Sequence, residues 1–339
     1  MARLLSLATI KLMYRILSAG LAMFATSAYV SQCQAGTVTF GTGANQFQMK
    51  FATIGNPGNA PDTTGNPSST GSVGYEYGIG KFEVSVDMIN KYNASQPGGI
   101  LRITTDQRGP AKPATSISWN EAARFVNWLN TSTGGFAAYK FTTDGVNDNS
   151  ELWSAADTLD YDATNPYRSL RAMYVLPSYN EWYKAAYYNP SNSIYYDYTN
   201  GSNTAPTAVS RGTGAGTAVY DQPFEPGPAN VNQAGGLSPY GVMGLGGNVF
   251  EWQETSGDLL NNGDYIFRIS RGGSWTNSSI ILASSGPFDS FYPSFKDGMD
   301  LGFRVASVSP SDIVPEPSSL VIGTLFGLGG LLAKRRMKR

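Results

Sequence analysis

The chain of 339 residues contains no histidine and a single cysteine, Cys33. Without histidine, neither a Ser-His-Asp nor a Cys-His catalytic centre can form, and histidine-ligated zinc and iron sites are excluded. Cys33 lies at or before a predicted cleavage site, so the mature protein is expected to have no thiol and no disulfide. These two absences remove most of the residues on which enzymes rely for nucleophilic and redox chemistry.

Basic residues are also scarce once the two ends of the chain are set aside. The formal net charge of -1 conceals an acidic centre, because residues 36–314 hold 16 of the 24 basic residues and 24 of the 25 acidic ones. A nucleic-acid partner requires a basic face, so this class of partner is excluded. The acidic composition suits a soluble exported protein, and carboxylates are ligands for a hard cation.

The N-terminus has the pattern of a secretory signal peptide, which we predict to span residues 1–35. Three basic residues precede an apolar stretch at 16–30, and no acidic residue comes before Asp62. Cleavage is predicted before Gly36, after Cys33-Gln34-Ala35, and Thr26-Ser27-Ala28 offers a second site. An uncleaved N-terminal anchor is the alternative.

The C-terminal region, residues 308–339, has the pattern of a targeting signal. Pro315, Glu316 and Pro317 precede an apolar run at 320–333, and a basic cluster follows. The run has 14 residues, fewer than the roughly 20 of a full membrane span. This order of parts resembles the PEP-CTERM sorting signal of Gram-negative bacteria. The resemblance implies export across the inner membrane, transient anchoring, processing by an exosortase-type protease, and a place on the outer surface or in the matrix. An ordinary C-terminal membrane anchor is the alternative.

Between the two signals, the sequence predicts a loop-rich α+β fold of one domain. A strand and a loop are expected over residues 36–72, and a second strand over 75–86. Ser118 with Glu121, and Ser178 with Glu181, are spaced as capping boxes at the starts of two helices. The first helix should bury Ala122, Phe125, Val126 and Leu129. The 39 glycines and the long polar stretch at 189–240 leave little other regular structure.

Six segments in a fixed order carry a resemblance that covers residues 73–307. They are 77–84 (YGIGKFEV), 117–123 (ISWNEAA), 176–186 (LPSYNEWYKAA), 239–252 (PYGVMGLGGNVFEW), 271–275 (RGGSW) and 302–306 (GFRVA). Together they resemble the formylglycine-generating enzyme family, also called the sulfatase-modifying factor family. The resemblance implies a loop-rich variant of the C-type-lectin-like fold.

The catalytic residues of that family are missing from this sequence. The resemblance places the two cysteines that hold copper at Asn277 and Leu282, and neither side chain offers the thiolate that Cu(I) prefers. Related iron enzymes of the family use histidines, which this chain lacks. We therefore expect neither copper nor iron, and no inherited catalytic residue.

The family also binds calcium, and the resemblance places ligands for it in this chain. They are the Glu251 side chain and the carbonyls of Gly247 and Val249, while Gly244 lacks the side-chain ligand of its relatives. Asn230 and the Val231 carbonyl match the start of a second site whose other half is missing. The alternative is that Glu251 is a structural hydrogen-bond acceptor.

Other motif residues have structural or binding interpretations. Arg271 and Arg304 are expected to pair with buried carboxylates such as Glu251 or Glu181. Ser274, Trp275 and Asn277 mark a groove for a peptide or a glycan, because aromatic and amide groups suit sugar faces and hydroxyls. Core positions are predicted for five of the tryptophans: Trp119, Trp128, Trp182, Trp252 and Trp275.

Three functions remain open at this stage. The first is an exported, non-catalytic binding protein whose ligand is a peptide or an extracellular polysaccharide. The second is a divergent enzyme whose metal is held by oxygen ligands alone, for example Asp289, Asp297 and Asp300. The third is a scaffold that binds sulfatase-like substrates without modifying them.

Overall fold

The computed structural model of the protein describes residues 36–310, except 97, 143, 144, 146–149, 262, 264, 265 and 288, and only the backbone of 289–291. The strands are β1 (Gly36–Phe40), β2 (Phe47–Ile54), β3 (Tyr77–Gly80), β4 (Tyr174–Val175), β5 (Tyr188–Asn189), β6 (Ile194–Tyr195), β7 (Thr207–Ala208), β8 (Thr217–Ala218), β9 (Phe250–Ser256), β10 (Phe267–Arg271), β11 (Asp289–Pro293), β12 (Leu301–Phe303) and β13 (Ala306–Ser307). The helices are α1 (Val86–Ser95), α2 (Trp119–Ser132), α3 (Tyr179–Tyr187) and α4 (Ser279–Leu282), and a 3-10 turn lies at Gly43–Asn45. This mixed, loop-rich architecture confirms the predicted fold class.

The first sheet joins the two ends of the described chain. Its strand order is β1-β2-β3-β13-β4, and β13 pairs with β3 on one side and β4 on the other. Along β2, Phe47, Met49 and Phe51 are buried while Gln48 and Lys50 are exposed, which is the two-residue period of a strand with one face in the core. The segment 36–72 is therefore built into the domain through β1 and β2.

The second sheet carries the polar residues that matter for the site. Its order is β11-β10-β9-β12, with β9 antiparallel to β10 and parallel to β12. Every residue of β9 is buried, although the strand contains Glu251, Gln253 and Glu254. Buried carboxylates require charged or hydrogen-bonding partners, so Glu251 and Glu254 of β9 must have such partners in the core.

Both predicted capping boxes are present. At α2, the Ser118 amide donates to Glu121 Oε2 at 2.8 Å, and the Glu121 amide donates to Ser118 Oγ at 3.2 Å. At α3, the Ser178 amide donates to Glu181 Oε2 at 2.5 Å, and the Glu181 amide donates to Ser178 Oγ at 3.3 Å. The core residues predicted for α2 are all buried. These local patterns therefore predicted two helix starts correctly.

Three local predictions differ from the structure. The segment 36–72 contains two paired strands rather than one. The strand expected over 75–86 ends at Gly80, because Ser85 caps α1, which the sequence analysis missed. Trp119, Trp182, Trp252 and Trp275 are fully buried as predicted, whereas Trp128 is only half-buried.

Within the described residues, no helix combines the length and the apolar character needed to cross a bilayer. The predicted signal peptide at 1–35 and the predicted sorting motif at Pro315, Glu316 and Pro317 lie outside these residues. Both signals therefore stay predictions from sequence.

Candidate functional site

The glycine-rich loop before β9 is shaped by positive backbone angles and by side-chain bonds. Gly247 has φ 91°, and a Cβ there would lie 2.2 Å from the Val219 carbonyl oxygen, so only glycine fits. Asn248 also has a positive φ of 65°. Its amide side chain accepts a bond from the Ala229 N–H at 2.8 Å and donates to Glu83 Oε1 at 2.8 Å. The loop is thereby fixed to two distant parts of the chain.

Glu251 forms a bidentate ion pair with Arg304. The guanidinium Nε and Nη2 lie 2.5 Å from Oε2 and Oε1 of the carboxylate, and both side chains are fully buried. Trp182 Nε1 donates to Glu251 Oε2 at 2.7 Å, and Arg304 also donates to the carbonyls of Gly80 and Met243. The predicted pairing of Arg304 with Glu251 is confirmed.

A second buried carboxylate, Glu83, lies beside this pair. Its Oε1 accepts from Asn248, and its Oε2 has no hydrogen-bond partner among the described residues. Burial raises the pKa of Glu83 to about 7, while the charge of Arg304 acts in the opposite direction. A Cβ at position 244 would lie 2.4 Å from Glu83 Oε1. The Glu83 carboxylate therefore occupies the space that a side chain at Gly244 would need.

Glu251 does not fit the role of a calcium ligand in this arrangement. Both of its oxygens are bonded to Arg304, and a guanidinium in contact repels a divalent cation on the same carboxylate. The carbonyls of Gly247 and Val249 remain as the predicted donors of the loop. Among the described residues, no three acidic, histidine or cysteine side chains gather where they could hold a metal ion. Calcium at this loop stays a prediction.

The second predicted calcium segment lies next to the same loop. Ala229, which donates to the Asn248 side chain, immediately precedes Asn230 and Val231. The Asn230 carbonyl accepts from the Gln233 amide at 2.7 Å, and the Val231 amide donates to the Ala111 carbonyl at 2.9 Å. These bonds form a turn, and both residues are half-buried.

Ser274, Trp275 and Asn277 form one tight turn. Asn277 Oδ1 accepts from the Ser274 amide at 2.7 Å and from Ser274 Oγ at 2.8 Å. Ser274 and Trp275 are fully buried, and the indole N–H of Trp275 donates to the Phe224 carbonyl at 3.0 Å. A ligand at this turn would meet Asn277 and the half-exposed ring of Phe224, not the Trp275 ring. A ligand-binding groove at this turn stays a prediction.

Asn277 and Leu282, where the family resemblance places the two copper cysteines, both lie close to Gly273. A Cβ built on Gly273 would lie 2.9 Å from Leu282 Cδ1 and 3.7 Å from Asn277 Oδ1. Leu282 is buried in α4, and the Asn277 amide oxygen is engaged by Ser274. Neither a leucine methyl group nor an amide is the thiolate ligand that Cu(I) prefers, and the assignment of these two positions to copper ligands stays a prediction.

The remaining metal prediction finds no support in the described side chains. Asp297 is exposed and Asp300 is half-buried, and the Asp289 side chain lies outside the described residues. This acidic set, given as one example of an oxygen-only metal site, stays a prediction.

The prediction for Arg271 was wrong. Instead of a carboxylate, its guanidinium donates to Tyr179 Oη at 2.7 Å and to the Ser284 carbonyl at 3.2 Å. It also faces the rings of Tyr179, Tyr183 and Tyr187 at 5.2–5.9 Å. Aromatic faces and a phenol oxygen thus replace the expected counter-ion.

Arg168 holds the partner role that the sequence analysis gave to Arg271. It donates to both oxygens of Glu181, at 2.9 and 3.0 Å, and to Glu254 Oε2 at 2.8 Å. Burial alone would raise the pKa of Glu181, but the charge and hydrogen bonds of Arg168 outweigh it and lower that pKa. Tyr75 and Tyr139 donate to the same two carboxylates. Arg168 lies outside the six family segments, which is why no motif indicated it.

Comparisons with known proteins identify the family and the fold. The sequence profile of the sulfatase-modifying factor enzyme 1-like domain matches residues 28–308, and the chain belongs to that family. Treponema denticola variable protein 1 is 19% identical, with a TM-score of 0.52 over 81% of this chain and 99% of the other. This likeness shows the fold alone. No curated protein matches the chain.

Two further solved structures align with the chain at lower TM-scores. CarF is 15% identical with a TM-score of 0.49, over 76% of this chain and 98% of its own. PvdO from Pseudomonas aeruginosa is 16% identical with a TM-score of 0.43, over 81% of this chain and 99% of its own.

Proposed function

We propose that the protein is an exported, non-catalytic binding protein that uses the sulfatase-modifying-factor fold to hold a peptide or a glycan. The observation that carries this proposal is that Leu282 and Asn277, at the two positions that the resemblance assigns to copper ligands, both lie close to Gly273. Neither residue holds copper, and the absence of histidine removes the iron chemistry of related enzymes. A fold that has lost its catalytic ligands still offers a rigid, loop-rich surface for recognition.

The two ends of the sequence support the proposed location. A signal peptide at 1–35 delivers the chain across the inner membrane, and the motif at 315–317 presents it to an exosortase-type protease. The processed protein then stays on the outer surface or in the extracellular matrix, where polysaccharides and peptides are the available ligands. A divergent enzyme with altered metal chemistry is the alternative, and metal content distinguishes the two.

Native protein purified from its host should be processed at both ends and free of redox metal. Intact mass spectrometry should show a chain that starts after residue 28 or 35 and ends before Arg339. Elemental analysis of the same sample should give copper and iron far below one atom per chain. A chain that still ends at Arg339 would defeat the sorting proposal, and stoichiometric copper or iron would favour the enzyme.

A further inference from the structure

Three buried oxygen atoms at the glycine-rich loop before β9 have no hydrogen-bond donor among the described residues. One is Oε2 of Glu83, on a side chain that is fully buried. The other two are the carbonyl oxygens of Gly247 and Val249, both buried, which accept no bond from any other described residue. Buried acceptors in folded proteins are almost always satisfied. Three open acceptors at one loop therefore call for a partner from outside the chain.

The charges around the loop favour a cation as that partner. Glu83 and Glu251 are both buried, and the charges of Glu251 and Arg304 act on Glu83. Arg304 contacts both oxygens of Glu251, so this pair is neutral and Glu83 has no counter-ion in contact. The neutral Asn248 amide bonds Glu83 Oε1 at 2.8 Å. A buried carboxylate needs more compensation than one neutral donor provides.

Glu83 also lies where a side chain of the loop itself would offer an oxygen. A Cβ built on Gly244 would lie 2.4 Å from Glu83 Oε1 and 3.0 Å from Oε2. The side-chain oxygen of an asparagine or aspartate lies about 2.4 Å from its own Cβ. The Glu83 carboxylate thus occupies the space that the oxygen of a polar residue 244 would reach.

The backbone of the loop is held in place before any ion arrives. Gly247 and Asn248 are consecutive residues with positive φ, 91° and 65°. The Gly247 amide donates to the Gly272 carbonyl at 2.7 Å, and the Asn248 carbonyl accepts from the Trp275 amide at 3.0 Å. Binding to preorganised groups costs little conformational entropy. Carboxylate and carbonyl oxygens in an irregular loop suit Ca²⁺, whereas Mg²⁺ demands near-ideal octahedral geometry and keeps several waters.

We propose that the Glu83 carboxylate binds calcium together with the carbonyl oxygens of Gly247 and Val249. Glu251, to which the family resemblance gives this role, instead stays paired with Arg304. A site with a single carboxylate and backbone oxygens does not need three acidic side chains, and the described residues offer no such group. The site goes beyond the proposed function, because a calcium ion here stabilises the fold whatever ligand the protein holds.

Calorimetric titration of the exported protein with calcium, and melting temperatures in millimolar calcium, magnesium or chelator, test this site. The wild type should bind calcium and melt at a higher temperature in calcium than in chelator, because an ion that binds only the native state stabilises it. Magnesium should raise the midpoint much less. Glu83→Gln should weaken calcium affinity about tenfold or more, since changing a residue that merely supports a metal ligand already costs about 10–100-fold. Glu76→Gln, the same change on an exposed carboxylate, should bind like the wild type.

A double variant tests the position of the carboxylate. Glu83→Ala empties the space beside Gly244, and Gly244→Asn then places an amide oxygen in it. Asparagine tolerates the positive φ of 77° at this position. The double variant should recover part of the calcium affinity that Glu83→Ala loses, whereas Gly244→Asn alone should lower the melting temperature through its contact with Glu83. Melting in chelator shows that each variant is folded before calcium is added.

Three results would overturn the site. A wild type that gives no titration heat and the same melting midpoint in calcium and in chelator would show that a proton or a water satisfies Glu83. Calcium affinity in Glu83→Gln equal to that of the wild type would mean that the ion binds elsewhere. An equal response to magnesium would overturn the choice of ion.

Discussion

Replacing Arg168 with methionine should lower the free energy of unfolding by about 3–5 kcal/mol or more, because it strands two buried carboxylates at once. Arg168 contacts both Glu181 and Glu254, and both carboxylates are fully buried. Glu181 also caps α3, and Glu254 lies in β9. The substitution should therefore destabilise both this helix and this sheet. Since domains of this kind are stable by only about 5–15 kcal/mol, much of that margin disappears.

Urea denaturation followed by tryptophan fluorescence measures this effect. Lys91→Met is the control, because it removes an i,i+4 pair with Asp87 whose side chains are 28% and 45% exposed. The control should change stability by less than about 0.5 kcal/mol. Arg168→Lys should recover only part of the loss, since an ammonium cannot bond both carboxylates as a planar guanidinium does. A loss below about 1 kcal/mol for Arg168→Met would mean that the network tolerates uncompensated charge.

The second large effect is expected for Glu251→Gln. The substitution leaves the guanidinium of Arg304 buried without a counter-ion in contact, which typically costs about 3–5 kcal/mol. It also weakens the bond from Trp182, because a carboxylate is a stronger acceptor than an amide oxygen. Arg304 already engages both oxygens of Glu251, so any rise in melting temperature that millimolar calcium gives the wild type over chelator should persist in Glu251→Gln.

The matched control for this prediction is Glu83→Gln, which changes the neighbouring carboxylate in the same cluster. The amide oxygen still accepts from Asn248, so the loss of unfolding free energy in this variant should be small.

The folded-state pKa of Glu83, about 7, exceeds its usual value of 4.5. Its contribution to stability is therefore complete below about pH 4.5 and is lost as the pH rises through 7. Relative to the wild type, Glu83→Gln should thus become more stable above pH 7.

The calcium experiment has one contradicting outcome. A calcium-dependent rise in the wild-type melting midpoint that Glu251→Gln removes would show that calcium displaces the guanidinium of Arg304 from Glu251.

Local patterns in the sequence predicted local structure well. The capping boxes at Ser118 and Ser178 depend on residues three positions apart, and both helices begin where these residues indicate. The same spacing rule did not reveal α1, because Ser85 caps it without the reciprocal carboxylate and its first residues continue an alternating pattern. The family motifs also predicted that Arg304 pairs with a buried carboxylate, and its partner Glu251 lies 53 residues away in the sequence.

Contacts that depend on tertiary packing could not be predicted from the sequence. Arg168 meets Glu254 across 86 residues, and nothing near Arg168 distinguishes it from a surface arginine. Arg271 faces three tyrosine rings instead of a carboxylate, and Arg168 is the arginine that pairs with Glu181. The partial exposure of Trp128 likewise depends on tertiary packing rather than on its place in the pattern of α2. The motifs therefore predicted the family, which the match over residues 28–308 confirms, but not these packing contacts.

Conversion of a sulfatase peptide is the measurement that tests the absence of catalysis most directly. The exported protein is incubated with copper, oxygen and a peptide that contains the Cys-x-Pro-x-Arg motif, and mass spectrometry follows the cysteine. Because the family resemblance places the copper ligands at Asn277 and Leu282, we predict that the peptide mass does not change beyond a protein-free control. Oxidation of the cysteine to formylglycine above that control would contradict the account, because it would require a metal site that neither the sequence nor the described side chains provide.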